Sequence, residues 1–352
     1  MLTEYREKRE LYADFAAKVA SLLTQIIAEQ SIPVHSVTHR VKEAASVARK
    51  LQRPAASYAA LADLPDIAGV RVTTYFHDHV DAIGGIVESE FTIDRANSVD
   101  KRTLLDPDRF GYASVHYVIE LPKRRTELPE YRRFQGLKGE LQLRSLLQHA
   151  WAEIEHDLGY KSTRSVPSPI RRRFARLAGI LELADAEFAA IRDELSTYEN
   201  ELPSRIESDA ANVRLDKPSL AAFLGASPIV KQLDSIIASC AHASVTSPAD
   251  LELDWDLENL SFIGINTVGD LESALREHEN AISSFARFWI GQAHLDHIAQ
   301  GISLFYLTYV LLAKQGNPER ISEWARTMNI GSPERREGLG QRILKAAREA
   351  GL

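Results

Sequence analysis

Three polar side chains of different chemistry share one face of a short segment, GELQLRS, at residues 139–145. Glu140, Gln142 and Arg144 alternate with leucines there, which is the spacing of a β-strand. A purely structural strand seldom needs a carboxylate, an amide and a guanidinium on one face. The apolar residues that follow recur at helical spacing from Leu147 to Leu158. We therefore interpret the segment as half of an active site that leads directly into a helix.

A second carboxylate, Asp66, opens another β-branched run, DIAGVRV, at residues 66–72. Two convergent carboxylates, Asp66 and Glu140, suit Mg²⁺, a hard cation that keeps water ligands and bridges phosphate oxygens. The cations that can neutralise a polyphosphate are Arg40, Lys42, Lys50 and Arg71. The sequence has no G-x-x-x-x-G-K-[ST] loop, so side chains must hold the phosphates. These features predict phosphoryl or pyrophosphoryl transfer between nucleotides.

The segment FGYASVHYVIEL, residues 110–121, supplies groups for a base and a phosphate. Tyr112, Ser114 and His116 share one face of this predicted strand. The tyrosine ring can stack on a base, and the histidine can hydrogen-bond to a phosphate. We assign this strand to the same site.

Two other histidine-containing patterns predict no function. YFHDHVD, residues 75–81, resembles the metal pair of an HD-type phosphohydrolase, but the helices before it supply none of the further ligands that such a site needs. We interpret it as a polar loop. His149, Glu153 and His156 have zinc-like spacing, yet they do not form the H-E-x-x-H pattern, and we interpret them as a polar stripe of the helix.

Four blocks of the sequence resemble, in order, the synthetase domain of RelA/SpoT-type alarmone synthetases: RVKEAASVARK (40–50), DIAGVRV (66–72), FGYASVHYVIEL (110–121) and ELQLRSLLQHAWAEIEHDLGYK (140–161). The last two are the most specific, because they combine G-Y-x-S-x-H with E-x-Q-x-R and Q-H-A-W-A-E-x-E-H. The resemblance covers about residues 35–200. It implies a nucleotidyltransferase-like fold that uses Mg²⁺ to move the β,γ-pyrophosphate of ATP to the 3'-hydroxyl of GDP or GTP, which makes (p)ppGpp.

The resemblance also implies a role for individual residues. Asp66 matches the family's magnesium ligand, and Glu140 matches the carboxylate that assists the metal or activates the 3'-hydroxyl. Arg71 matches the arginine that lies against adenine. The residues that match the block handling the ATP phosphates are Arg40, Lys42, Ser46 and Lys50. The acceptor side, where the aromatic ring stacks on the acceptor base, is matched by Tyr112, Ser114, His116, Gln142, Arg144, His156 and Lys161.

One departure from the family pattern leaves the acceptor open. The family commonly has G-Y-R-S, and this chain has Ala113 in place of the cation. The alternative acceptors are an adenosine nucleotide and the 3'-CCA end of tRNA, which toxin-type relatives modify to stop translation. The alternative from another class is a catalytically silent domain that binds nucleotide and signals through residues 220–352.

The elements that must position these groups follow from periodicity and breakers. Helices are predicted at 1–30, 35–53, 78–89, after 146 and at 170–200, with strands at 63–76, 110–121 and 139–145, a charged segment or short strand at 90–105 and a basic hairpin at 122–136. The predicted fold class is α/β, a mixed sheet flanked by helices. A mostly α-helical C-terminal domain is predicted after it.

The chain length of 352 residues allows two domains. We predict a pyrophosphokinase domain with a trailing long helix at 1–200, a linker at 201–219 that contains Pro203 and Pro218, and a helical domain at 220–352. The second domain is expected to act in regulation or oligomerisation. Small members of the family often assemble through the helix after the core, so a homo-oligomer is a further expectation.

Bulk properties restrict the classes of function. The formal net charge of -7 argues against nonspecific coating of nucleic acid. One cysteine, Cys240, excludes an internal disulfide framework and suits a reducing compartment. The charged N-terminus lacks an apolar signal core, and the apolar run at 302–313 is too short to span a bilayer. We expect a cytoplasmic protein with no membrane partner.

Overall fold

The computed structural model describes residues 1–52, 58, 60–102, 114–160, 167–247, 250–291, 294–336 and 338–352. These residues form two compact units, Met1–Asp193 and Glu194–Leu352. The first contains a mixed sheet with helices, and the second is mostly helical, as the sequence predicts. Each unit has its own hydrophobic core.

The first unit contains one mixed sheet within its described residues. Its elements are α1 (Leu2–Glu29), β1 (Val34–Val41), α2 (Ala44–Leu51), β2 (Ala68–Thr74), α3 (Asp78–Glu90), β3 (Thr92–Ile93), β4 (Val99–Asp100), β5 (Val115–Glu120), α4 (Lys123–Thr126), β6 (Gly139–Ser145), α5 (Leu146–Tyr160) and α6 (Ser168–Asp209), the last of which continues into the second unit. The strand order is β1-β2-β6-β5-β3, with β4 also paired to β5. Strands β2 and β6 are parallel, and the other pairs are antiparallel.

Helix α1 covers one face of this sheet and forms much of the first core. Its apolar side chains recur on one face of the helix, and Phe15 and Leu23 are fully buried among the sheet residues. Gly139, at the start of β6, permits the close approach, because a Cβ there would lie 3.0 Å from the Phe15 ring and 3.3 Å from the carbonyl oxygen of Ala68. The helix therefore packs against β2, which follows Asp66 in the chain, and against the start of β6, which contains Glu140.

Two sequence predictions in the first unit are wrong. Residues 34–41 form strand β1 rather than the start of a helix, because Val34, Val37, Thr38 and Val41 are β-branched and the segment pairs with β2 along its length. The residues predicted to bind the ATP phosphates therefore do not share one helix: Arg40 lies on β1, whereas Ser46 and Lys50 lie on the short helix α2. The predicted basic hairpin at 122–136 is helix α4 with a 3₁₀ turn at Arg132–Phe134.

The second unit is built from helices α7 to α15. Their bounds, with two short strands, are α7 (Lys217–Ala226), α8 (Pro228–Ala241), β7 (Ser244–Thr246), α9 (Asp250–Phe262), α10 (Val268–Glu277), α11 (Glu279–Ile290), β8 (His297–Ala299), α12 (Ile302–Gln315), α13 (Pro318–Thr327), α14 (Pro333–Arg336) and α15 (Leu339–Glu349). Helix α12 is the apolar run seen in the sequence, and Trp324 of α13 lies fully buried in the same core. Thr267 caps α10 by accepting a hydrogen bond from the backbone N–H of Asp270 at 3.1 Å.

The predicted linker at 201–219 is instead the ordered entry to the second unit. Helix α6 continues to Asp209, a 3₁₀ turn covers Ala210–Asn212, and α7 begins at Lys217. Pro203 lies inside the helix without ending it. The reason is packing: Tyr198, Leu202 and Ile206 recur at intervals of four and contact the second core.

Leu202 offers a test of this packing. Leu202→Ala should lower the free energy of unfolding of the second unit by about 2–4 kcal/mol, because its side chain is only 1% exposed in that core. Leu195→Ala, on the same helix but 54% exposed, is the matched control and should change stability by less than about 0.5 kcal/mol. Urea unfolding followed by circular dichroism measures both, and equal effects would contradict the assignment of residues 201–209 to the second core.

Among the residues that the structure describes, one helix is long and apolar enough to cross a membrane, judged by length and composition only. This helix is α1, and α7 with α8 pass the same test only if the pair, bent by 74°, is taken as one span. The buried side chains of α1 lie in the core of the first unit, and the core helix of a soluble protein also passes this test.

Candidate active site

A cavity of about 460 Å³ opens where β1, β2 and β6 lie side by side. The lining residues include most of the residues predicted to bind ATP and the metal, which are Arg40, Lys42, Ser46, Asp66, Arg71 and Glu140, and two predicted on the acceptor side, Gln142 and His156. The cavity is also lined by Thr38, His39, Glu43 and Gly69. Strand register accounts for this convergence. Glu140 lies opposite Gly69 across the β2–β6 pair, and Gln142 lies opposite Arg71. The segments around Gly69 and Glu140, about 70 residues apart in the chain, therefore form one wall of the cavity.

Asp66 is held at the cavity by two lysines. Lys42 forms a short ion pair with one carboxylate oxygen, and Lys50 lies 2.8 Å from the other. The backbone N–H of Lys42 donates to the carbonyl of Ile67 at 2.9 Å, which fixes the lysine beside the aspartate. Burial opposes ionisation of Asp66, but the hydrogen bonds from Lys42 and Lys50 outweigh it and hold the pKa of the carboxyl below its ordinary value. Asp66 is therefore an anion whose charge is shared by two cations.

Glu140 is held by a different pair of donors. His116 Nδ1 lies 2.9 Å from one carboxylate oxygen, and Gln142 Nε2 donates to the other at 2.9 Å. Because an ionised carboxylate only accepts, His116 must carry its proton on Nδ1 in this contact. Burial raises the pKa of Glu140, but the contacts with His116 and Gln142 lower it by more. The net pKa lies below the ordinary value, so the group stays ionised near neutral pH. A histidine and an amide, rather than two lysines, thus orient this carboxylate.

Arg71 and Arg144 converge on one carboxylate of α5. Arg71 Nη1 donates to Glu153 Oε1 at 2.9 Å, and Arg144 Nη2 approaches the same oxygen at 3.1 Å. The Arg144 side chain is only 3% exposed, and it does not line the cavity. Arg144 has the strand parity of Glu140 and Gln142, but its side chain lies behind the cavity wall, in contact with Glu153. Its predicted role on the acceptor side, in the supporting shell, stays a prediction.

The remaining predicted acceptor residues are only partly described. Ser114 and His116 are buried at the start of β5, and His156 lines the cavity from α5. Tyr112 and Lys161 lie outside the described residues. Sequence reasoning assigned no role to several cavity residues, among them Thr38, which lay in the wrongly predicted helix, and Glu43, which has no motif of its own.

The carboxylates present fit magnesium better than zinc. Among the described residues, no group of three or more His, Cys, Asp and Glu side chains is placed to bind a metal. Mg²⁺ needs fewer protein ligands, since one or two carboxylates, the substrate phosphates and water complete its shell. Asp66 and Glu140 are the carboxylates on the shared cavity wall with the donor chemistry for this role.

Comparison with known proteins identifies the first unit. Residues 39–165 match the family model described as the region found in RelA/SpoT proteins. The chain is 29% identical over 166 residues to the GTP pyrophosphokinase YjbM of Bacillus subtilis, covering 46% of this chain and 74% of that protein.

Two solved structures are also similar. A GTP pyrophosphokinase family protein from Streptococcus pneumoniae is 30% identical, with 56% of this chain and 97% of that chain covered at a TM-score of 0.47. Small alarmone synthetase 1 of Bacillus subtilis, solved with its product pppGpp, is 25% identical, with 55% and 99% covered at 0.47. Residues 39–165 of the first unit therefore form a region of the RelA/SpoT type, and the sequence relatives that share it are GTP pyrophosphokinases.

Proposed function

We propose that the first unit transfers the β,γ-pyrophosphate of ATP to the 3'-hydroxyl of GDP or GTP. Residues 39–165 match the RelA/SpoT region and the named sequence relatives are GTP pyrophosphokinases, which supports a pyrophosphokinase-type transferase. The observation that carries the proposal is one cavity that combines the carboxylates of Asp66 and Glu140 with the cations Arg40 and Lys42. Such a cavity binds a polyphosphate with its metal, because cations offset the phosphate charge and carboxylates hold the cation.

The proposed reaction is an in-line displacement at the β-phosphorus of ATP. The acceptor 3'-oxygen forms a bond to that phosphorus, the bond from the phosphorus to the α–β bridging oxygen breaks, and AMP leaves with that oxygen. Asp66 and Glu140 are the residues that would hold Mg²⁺, which supplies charge neutralisation at the phosphates when bound. Lys42 and Lys50 lie close enough to Asp66 to move from the carboxylate to the phosphates as the nucleotide enters.

Glu140 is also placed to receive the proton of the attacking hydroxyl. Its lowered pKa keeps it ionised, and its two donors, His116 and Gln142, fix the direction of its oxygens. A carboxylate held in this way can take up a proton as the phosphorus–oxygen bond forms. We propose that the acceptor ribose lies on the Glu140 side of the cavity and ATP on the side of Arg40 and Lys42.

A transfer assay tests the proposal. Purified protein is incubated with γ-³²P-ATP and Mg²⁺, and GDP, GTP, AMP, ATP and bulk tRNA are offered separately. Label on GDP or GTP is the expected result, with AMP as the second product. Label on tRNA alone would make the protein a translation toxin, and no label on any acceptor would favour the silent nucleotide-binding domain. The proposed substrates, ATP and a guanosine nucleotide, suit an activity in the cytoplasm.

We also propose that a second copy of the chain covers an apolar face of α6. Leu177, Ile180, Phe188 and Ile191 lie on one face of this helix and are all exposed. Arg176 flanks this face at its N-terminal end, and Glu187 flanks the same side towards the C-terminus. Two antiparallel copies of α6 would therefore place opposite charges side by side.

Assembly is testable with charged substitutions. Ile180→Glu with Phe188→Glu should convert an oligomer to a monomer in light scattering after size exclusion, because two carboxylates would be buried in an apolar contact. Leu128→Glu, at an exposed leucine away from α6, is the control and should leave the mass unchanged. A wild-type protein that is monomeric at micromolar concentration would contradict the proposed assembly.

A further inference from the structure

Glu153 lies between two arginines of the first unit and is assigned no role by the motifs. Its Oε1 atom accepts from Arg71 Nη1 at 2.9 Å and from Arg144 Nη2 at 3.1 Å. His149 Nδ1 lies 3.7 Å from the same oxygen. The carboxylate therefore links a cavity residue, Arg71, to an arginine that is almost completely buried.

The charges in this cluster show why the carboxylate stays ionised. Burial opposes the charge of Glu153, but Arg71 and Arg144 outweigh it and lower the pKa of the carboxyl. The same environment lowers the pKa of His149 through burial and through the two arginines. At neutral pH the Glu153 carboxylate thus lies as an anion between two guanidinium groups, of which that of Arg144 is almost completely buried.

The geometry of a guanidinium allows two uses at once. Hydrogen bonds leave its edge in the plane of the group, whereas a flat base rests on its face. Glu153 accepts a hydrogen bond from Nη1, an edge atom of the Arg71 guanidinium, and such a contact is compatible with a base on the face of the group. An arginine without such an anchor would lose side-chain entropy each time it stacked on a ligand.

We infer that Glu153 is a positioning residue that orients the Arg71 guanidinium for the adenine ring of ATP, with Arg144 as the buried anchor. The inference rests on the proposed function and on the resemblance to the family, in which the arginine that matches Arg71 lies against adenine. Glu153 touches neither the phosphates nor the reacting atoms in this arrangement. Its loss should weaken binding of the donor through the base and leave the transfer step, once the donor is bound, largely intact.

The experiment compares a base-bearing ligand with one that has no base. Isothermal titration with Mg²⁺ measures binding of α,β-methylene-ATP, whose bridging carbon blocks transfer, and of inorganic tripolyphosphate. Glu153→Gln should weaken binding of the nucleotide by about tenfold, the effect of one lost charge-assisted contact, and leave tripolyphosphate binding unchanged. In the transfer assay the KM for ATP should rise by a similar factor, with kcat within about twofold of wild type.

Two controls separate positioning from a structural role. Glu155→Gln makes the same charge change two residues further along α5, about 200° around the helix, and should behave as wild type. Glu153→Gln added to Arg71→Ala should cause no further loss of nucleotide binding, because the residue acts through Arg71. Equal loss of tripolyphosphate binding, or unchanged nucleotide binding in Glu153→Gln, would overturn the inference. A wild-type protein that binds no α,β-methylene-ATP would overturn the proposed function with it.

Discussion

Glu140→Gln is expected to reduce pyrophosphate transfer by about a thousandfold or more. The substitution keeps the size of the side chain but removes the negative charge that would bind Mg²⁺ and accept the proton of the 3'-hydroxyl. Loss of a positioned charge at the reacting atoms typically costs two to four orders of magnitude in rate. The measurement is kcat for transfer of label from γ-³²P-ATP to the acceptor that the wild-type protein uses.

The fold should survive this substitution. Glu140 accepts from both His116 and Gln142, and an amide can accept at only one of its two ends, so one hydrogen bond is lost. We expect a loss of about 1–2 kcal/mol in the free energy of unfolding. Glu43→Gln is the matched control, since Glu43 lines the same cavity but pairs with Arg9 at 2.9 Å. Transfer by Glu140→Gln above about a tenth of the wild-type rate would show that the site is wrongly assigned.

The cavity wall could be predicted because strand alternation is strict. Once Glu140 is placed on β6, a period of two puts Gln142 on the same side, and both residues line the cavity. Arg144 has the same parity but does not line the cavity. Its long side chain reaches Glu153 on α5, and that contact depends on where a helix packs rather than on the strand.

Errors in the predicted elements have a related cause. Residues 34–41 carry polar groups that also fit a helix, and only pairing with β2 decides that they form a strand. Pro203 indicated a break, yet Leu202 and its neighbours one turn away bury enough apolar surface to continue α6. In both places, contacts with residues distant in sequence outweighed the local conformational preference: pairing with β2 at 34–41, and packing in the second core at Leu202. The role of the second unit remains unpredictable for the same reason, because its helices carry core positions and no chemical motif.

Asp66→Asn should abolish transfer to the same extent as Glu140→Gln and should also destabilise the first unit. The carboxylate is the shared counter-charge of Lys42 and Lys50, so an amide leaves two neighbouring ammonium groups without their anion. We expect the free energy of unfolding at pH 7 to fall by about 1–3 kcal/mol. Asp14→Asn, which removes an exposed pair with Arg133, should cost less than about 1 kcal/mol.

The pH dependence identifies the origin of this loss. The pKa of Asp66 in the folded protein lies below its ordinary value of 3.8, so its ion pairs stabilise the fold fully above that pH. Their contribution is lost as the pH falls through the lowered pKa, when the carboxyl becomes protonated in the folded state as well. The stability difference between wild type and Asp66→Asn should therefore be constant from about pH 5 to 7 and shrink below about pH 4. Urea unfolding at several pH values measures it, and a difference that persists unchanged at pH 2.5 would mean that lost packing, rather than lost charge, causes the destabilisation.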